Sequence, residues 1–181
     1  MYRKTQKYHN SCYPCALQIA LVNIGNLPED YGDKLEDDFN EMFYDLTGRN
    51  LDEMAPNEYQ IASIISSLGL PLGRGVMLGP ELLRGNERRC ADRINQLIEQ
   101  NPNAAFVIGE NHAFSIYRCE EEGKWYLVNP HYLDPIREFT CDEVRVRPDE
   151  ETHMLELYYN DDRGHEVPIF GGWFFIMVTP E

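Results

Sequence analysis

The sequence contains no long apolar segment. No part of its 181 residues approaches the roughly 20 consecutive apolar residues that a membrane-spanning helix requires. The opening residues, MYRKTQKYHNS, also lack the apolar run of a secretory signal. We therefore expect no membrane partner, and we expect a cytoplasmic protein or one delivered into a host cytosol.

Basic residues are scarce, since Lys and Arg total 16 against 31 Asp and Glu, and the formal net charge is -15 at pH 7. Such a charge repels the phosphate backbone of nucleic acids and anionic lipid surfaces. The composition argues against a nucleic-acid partner and favours a protein or peptide with a basic surface. The cluster Glu36-Asp37-Asp38 is predicted to be a solvated face, because nothing apolar flanks it to raise a carboxyl pKa.

Cysteines are few, odd in number and irregularly spaced, at Cys12, Cys15, Cys90, Cys119 and Cys141. This pattern does not match the disulfide framework of a small secreted domain, so a reducing compartment is expected. Zinc bound by Cys12, Cys15 and His9 would need a second pair of closely spaced ligands, which the other cysteines do not supply. We expect neither a metal nor a cofactor.

The first hundred residues show helical periodicity. Ser11 is predicted to cap a helix over residues 12–24. Three further amphipathic helices are predicted from apolar spacing, and they stop before Gly48, Gly69 and Pro102. The segment 70–85 is rich in glycine and proline and is predicted to be a long loop.

The later residues change character, with short runs rich in aromatic and β-branched residues: AAFVIG, HAFSIYRC, KWYLVNP, HMLELYYN and GGWFFIMV. Such runs between Gly, Asn, Asp and Pro predict strands of an antiparallel sheet. The order predicts a single α+β domain over residues 1–181, with a helical lobe at about 1–102 and a sheet lobe at about 103–181. A site is expected in the cleft between the lobes.

Cys12 is the candidate nucleophile. It stands in the first turn of a predicted helix, where unpaired N–H groups and the helix dipole favour a thiolate. Gln6 precedes it by six residues, so that a side-chain amide and the N–H of Cys12 are placed to face a developing oxyanion. Cys15 falls on the buried side of the helix and is interpreted as a packing residue.

His112 is the candidate base, because it opens a predicted strand after the turn-like sequence Gly109-Glu110-Asn111. Asn129 follows it by 17 residues at the end of the next strand, a separation that suits a hairpin. Its amide is then placed to fix the orientation and tautomer of the imidazole. Asp134 is the rival for this third position, although it lies in the irregular segment YLDP.

The order of these motifs, Gln6 and Cys12, then HAF from His112, then WYLVNP with Asn129, resembles that of papain-like cysteine peptidases. The string SCYPCAL is similar to the start of bacteriocin-processing peptidases, with Tyr13 in place of their glycine. The resemblance implies a papain-like fold, in which the Cys starts a helix of one lobe and the His and Asn or Asp lie on a sheet. It also implies hydrolysis of a peptide or isopeptide bond through a thioacyl intermediate.

Several alternatives stay open. A transglutaminase-like deamidase or acyltransferase uses the same triad with another acceptor. The tetrapeptide Cys12-Tyr13-Pro14-Cys15 is a C-x-x-C motif, but a thioredoxin-like fold requires an apolar strand directly before it. Because of the acidic charge, the favoured substrate is ubiquitin or a ubiquitin-like protein with a basic surface, and the rival is a short peptide.

Overall fold

The computed structural model describes residues 1–149 and 151–181 and has an α+β architecture. Its helices are α1 (Cys12–Asn23), α2 (Lys34–Thr47), α3 (Glu58–Ser67), α4 (Pro80–Leu83) and α5 (Glu87–Gln100), with a 3-10 turn at Glu29–Tyr31. Its strands are β1 (Val76–Leu78), β2 (Ala105–Gly109), β3 (Ala113–Cys119), β4 (Lys124–Val128), β5 (Pro135–Phe139), β6 (Arg145–Asp149), β7 (Met154–Asn160), β8 (Glu166–Gly172) and β9 (Phe174–Val178).

Helix α1 is buried around almost its whole circumference. It packs against β2 and β3 on one side and α2 on the other, as expected for a helix that is apolar on all faces. Its bounds confirm the predicted helix to within one residue. The predicted cap is wrong, because the Ser11 side chain makes no hydrogen bond to the first turn. Its hydroxyl instead donates to Glu36 Oε2 at 2.5 Å.

The other predicted helices are confirmed, and their ends have local causes. Gly48 terminates α2 in the left-handed conformation, with φ of 72°, which glycine adopts without steric cost. Asn57 starts α3 with a capping box, in which Asn57 and Gln60 each bond the backbone N–H of the other. Helix α5 covers the pattern that was predicted to end before Pro102.

The predicted antiparallel sheet is present as two sheets. A six-stranded sheet has the order β1-β9-β2-β3-β4-β5, and a three-stranded sheet has the order β6-β7-β8. All strand pairs are antiparallel. Alternate residues of the large sheet enter two separate cores: Val107 packs with α1, α2 and α3, while Phe106 packs with α5 and the small sheet.

The division of the chain into a helical lobe of about 1–102 and a sheet lobe of about 103–181 requires correction. The segment 70–85, predicted as a loop, contains α4 and β1, and β1 pairs with the last strand, β9. Helix α5 packs on β6, on the face of the large sheet opposite α1. The early part of the chain therefore contributes a strand to the large sheet and a helix to the face opposite α1, so it does not form a separate helical lobe.

Within the described residues, no helix combines the length and the apolar character needed to cross a membrane.

Candidate functional site

Cys12 lies at the N-terminus of α1 with 8% of its surface exposed. The backbone N–H groups of Ala113, Tyr13 and Cys12 itself lie near its sulfur and favour the thiolate. Ala113 begins β3 and directly follows His112. The packing of α1 on β3 thus brings the thiol beside the strand that His112 precedes, across a sequence separation of 100 residues (112 − 12).

The pKa of Cys12 differs from the sequence-based expectation. Burial raises the pKa of the thiol above its ordinary value, and the three backbone N–H groups offset only part of this effect. A helix start was expected to lower the pKa, and its N–H groups do act in that direction, but burial has the larger effect. The thiolate therefore needs a proton acceptor beside it.

His112 is held by Asn129. The distance from His112 Nε2 to Asn129 Oδ1 is 2.7 Å, and Oδ1 also accepts the backbone N–H of His131 at 3.0 Å. Because an amide oxygen can only accept, Nε2 carries the proton and Nδ1 of the neutral ring is the basic nitrogen. The pairing of β3 with β4, with Ser115 opposite Val128, explains the spacing of the two residues.

Asp134 does not occupy this position. Its side chain is 94% exposed, and its Oδ1 pairs with Arg3 at 3.3 Å. Since Asn129 accepts from the imidazole and Asp134 faces solvent, the two candidates for the third residue are expected to differ in their effect on the thiol.

We expect Asn129→Ala to slow alkylation of Cys12 by iodoacetamide at neutral pH by about tenfold or more, because a ring without its acceptor loses orientation and tautomer. Asp134→Ala is the matched control and should change the rate by less than about twofold, since an exposed ion pair has little influence on a buried group. Peptide mapping of the alkylated cysteines measures both rates. A larger effect from Asp134→Ala would reverse the assignment.

Gln6 is placed differently from its predicted role. Its Nε2 donates to the carbonyl oxygens of Tyr8 at 3.0 Å and His9 at 2.8 Å, which occupies both amide hydrogens. Its backbone N–H donates to Pro130 O at 2.7 Å. Gln6 therefore shapes the turn before Cys12 and links it to the residue after Asn129. The predicted oxyanion donor is not free in this arrangement.

The N-terminal turn contacts the end of β4 through the bond from Gln6 N–H to Pro130 O, and the start of β3 contacts it through His112 and Asn129. Comparisons of the chain with protein-family models, curated proteins and solved structures gave no match. Within residues 1–149 and 151–181, no group of three or more His, Cys, Asp and Glu side chains is arranged to hold a metal ion.

Cys15 occupies a packing position. It is completely buried, and its thiol donates to Lys4 O at 3.6 Å. Burial, followed by the charge of Glu36, raises the pKa of this thiol strongly. All five cysteines are free, and residues 1–11 contain no strand. These features do not match the strand-then-motif arrangement that a thioredoxin-like redox pair requires.

Glu36 was missed as a contributor to the site. It was predicted to be solvated, but its side chain is fully buried. One carboxylate oxygen accepts the Ser11 hydroxyl at 2.5 Å and the Lys7 backbone N–H at 2.7 Å, and the other pairs with Lys4. Glu36 thus holds the segment that leads into Cys12. Its position three residues before Phe39, on the apolar stripe of α2, was the available signal.

Lys4 is the counter-charge of Glu36. Its ammonium also contacts Asp33 Oδ1 at 2.7 Å. Burial acts to lower the pKa of Lys4, but the hydrogen bonds to Asp33 and Glu36 outweigh it, so the pKa lies above its ordinary value. Lys4 is therefore charged at neutral pH and the cluster is a true ion pair.

Tyr13, which stands where the resembling family has glycine, packs its ring against the last strand of the large sheet. Its ring packs edge-on against Phe174, with the ring centroids 5.2 Å apart. A Cβ added at Gly109 would lie 2.4 Å from the Tyr13 hydroxyl oxygen and 2.8 Å from His112 O. Glycine at 109 therefore allows the bulky residue beside Cys12 and the turn before His112 to coexist.

A cavity of about 280 Å³ opens beside this turn. Its walls are Glu58, Pro80, Arg84, Asn111, Thr152, His153 and Trp173. The Trp173 Nε1–H donates to Glu58 Oε1 at 3.1 Å, which fixes the indole against α3. The cavity is adjacent to His112 through Asn111 and offers an aromatic wall with charged groups around it.

Proposed function

We propose that this protein is a cysteine hydrolase that cleaves a peptide or isopeptide bond, with Cys12 as nucleophile, His112 as base and Asn129 as the group that orients the imidazole. The observation that carries the proposal is the 2.7 Å contact between His112 Nε2 and Asn129 Oδ1. This contact occupies Nε2, so Nδ1 is the nitrogen that we propose as the acceptor of the thiol proton, and the N–H of Ala113, next to His112 in the chain, faces the thiol.

In the proposed reaction, Nδ1 of His112 takes the proton from Cys12 Sγ, and sulfur attacks the substrate carbonyl carbon. The C–N bond then breaks, the leaving amine takes the proton from His112, and a thioester remains on Cys12. His112 next takes a proton from water, whose oxygen attacks the thioester carbonyl. The C–S bond then breaks, the acid is released, and His112 returns its proton to the sulfur to restore the free thiol. Because burial raises the pKa of Cys12, the thiol is neutral at rest and proton transfer accompanies attack.

The oxyanion of this reaction needs donors other than the amide of Gln6 in its present position. The backbone N–H groups of Cys12 and Tyr13 lie at the helix start near the sulfur, and we propose that they turn to the oxyanion when the sulfur bonds to the substrate. Gln6 can contribute if substrate displaces its bond to His9 O. In this proposal Gln6 is first a positioning residue for the turn before Cys12.

The proposed substrate is a protein with a basic surface, and the specific form that we favour is the C-terminal tail of ubiquitin or a ubiquitin-like protein. The net charge of -15 favours encounter with a basic partner through electrostatic steering. The cavity lined by Asn111, the residue before His112, offers space for one substrate side chain.

The test is a panel of activity-based probes that carry a thiol-reactive warhead at the C-terminus of ubiquitin, of ubiquitin-like proteins and of a generic short peptide. We expect a covalent adduct on Cys12 and none on Cys90, which lies on α5 away from these groups. Intact-mass and peptide mapping identify the labelled residue. Cys12→Ala should remove the adduct, and Cys90→Ala is the matched control that should keep it.

Label on other cysteines, or no label on Cys12 from any probe, contradicts the proposal. Labelling by the peptide probe alone removes the ubiquitin-like form but keeps the hydrolase. A thioester that passes to an added primary amine faster than to water identifies the transglutaminase-like alternative instead.

A further inference from the structure

The ring of a second histidine, His131, stacks on the ring of His112, the candidate base. The rings of His112 and His131 are stacked, with centroids 4.6 Å apart and an angle of 5° between their planes. His131 is two residues beyond Asn129, and its backbone N–H donates to the same Asn129 Oδ1 that receives His112 Nε2. The ring and the backbone of one residue thus contact both members of the His112–Asn129 pair.

We propose that His131 is a positioning residue whose ring, stacked on His112, keeps Nε2–H of His112 on Asn129, and that a second proton on this ring pair disrupts the arrangement at acid pH. This inference rests on the proposed function for its catalytic meaning. The ring pair itself is a property of the fold and can be tested without a substrate.

The stack limits the motion of His112. Phe114 approaches the same imidazole edge-on, with centroids 5.0 Å apart, so that the ring has one aromatic neighbour on its face and another at its side. The imidazole can then turn away from Asn129 only by breaking the stack with His131. A ring held in this way keeps Nε2–H on Asn129.

The stack also makes the two rings electrostatically dependent on each other. A neutral imidazole face tolerates a cation above it, but two stacked imidazolium ions repel. The titratable groups that face His131 are His112 from the turn before β3, His9 from the N-terminal segment and Tyr132 from its own loop, where Arg3 and Asp134 pair nearby. No carboxylate of this group contacts the His131 ring to offset a positive charge.

The direction of the His131 pKa agrees with this reading. Partial burial, then the charges of His112 and His9, lower the pKa of His131 below its ordinary value of 6.5. When the pKa of a histidine is lower in the folded state than in the unfolded state, the fold becomes less stable as pH falls below the unfolded-state pKa. His131 is therefore neutral at neutral pH, when it supports His112, and charged only in acid. Its exposed edge gives it access to solvent protons.

The experiment is an NMR titration of the imidazole nitrogens between about pH 4 and about pH 9 in the full chain and in the variants His131→Phe and His131→Ala. In the native protein, we expect the acid-side protonation step of His131 to appear in the imidazole signals of His112 as well, because the two rings are stacked. In both variants this step should be absent from the His112 signals. His165→Phe, at the exposed turn between β7 and β8, is the matched control and should leave this step unchanged.

The two variants separate stacking from charge. His131→Ala should reduce the Nε2–H form of neutral His112 and slow Cys12 alkylation by about tenfold through loss of orientation. His131→Phe keeps an aromatic face without a charge, so it should recover most of that loss and remove the acid-side step.

Protonation of His131 that leaves the His112 signals of the native protein unchanged overturns the inference without use of any variant. Equal alkylation rates and equal tautomer populations in His131→Ala and the native protein also overturn it. Coupled His112 and His131 signals in a protein whose Cys12 no probe labels retain the ring pair and overturn the proposed function alone.

Discussion

Cys12→Ala and His112→Ala are each expected to lower kcat by at least about 10⁴-fold on any substrate found with the probe panel, because nucleophile and base act as one unit. The kcat of the double variant should be lower than that of either single variant by no more than about tenfold, because the loss of one member already removes the function of the pair. Steady-state kinetics with the labelled substrate measures all three. Additive losses in the double variant would show that the two residues act independently.

The pH dependence of the same variants separates the roles of the two residues. In His112→Ala the thiol loses its base, and because burial raises the pKa of Cys12, alkylation should become appreciable only at alkaline pH. The native protein should retain a reactive shoulder at lower pH from the Cys12–His112 pair. Alkylation rates across pH provide the measurement. Coincident pH profiles would mean that His112 does not influence the thiol.

Glu36→Ala is expected to destabilise the fold by about 3 to 5 kcal/mol, because it leaves the half-buried Lys4 with one charged partner and removes the buried acceptor of Ser11 and Lys7. For a chain of this length, about 2 to 4 °C per kcal/mol predicts a decrease in Tm of roughly 10 °C. The pairing of Lys4 with Asp33, 2.7 Å away, places the loss toward the lower end of the range. Thermal and urea unfolding measure the change.

The neighbouring residue on α2 supplies the control. Asp37 pairs with Lys7 at 2.7 Å on the half-exposed surface, and its loss should cost less than about 1 kcal/mol. Glu36→Gln removes the charge but keeps an acceptor for Ser11, so its effect should lie between the other two. A free energy of unfolding for Glu36→Ala no lower than that of Asp37→Ala would contradict the structural role of Glu36. Cys12 alkylation in Glu36→Ala should also slow, since the turn before α1 is less restrained.

Periodicity in the sequence was sufficient for the elements whose cause is local. The helices α1, α2, α3 and α5 follow from apolar spacing and from terminal residues such as Gly48 and Asn57. Strands β2, β3, β4, β7 and β9 follow from aromatic and β-branched runs. The order of Cys12, His112 and Asn129, and the hairpin that separates the last two, could be predicted for the same reason.

Four strands were not predicted. Strand β1 has three residues and is formed by pairing with β9, at the other end of the chain. Strands β5, β6 and β8 contain prolines and charged residues, which depress strand propensity, and they are extended because a partner strand supplies the hydrogen bonds. Partner strands distant in sequence leave no periodic signal in the segment itself.

The sequence by itself determined the α+β class, the helix that starts at Cys12 and the positions of His112 and Asn129 at strand ends, because each depends on residues within one or two turns or one hairpin. Only the tertiary structure decided the environment of these groups. Burial raises the pKa of Cys12, whereas its place at a helix start had suggested a lower pKa. The amide of Gln6 donates to the carbonyls of Tyr8 and His9, and Glu36 is buried as the partner of Lys4. Desolvation and hydrogen bonding are sums over neighbours that come from distant parts of the chain, so local pattern cannot specify them.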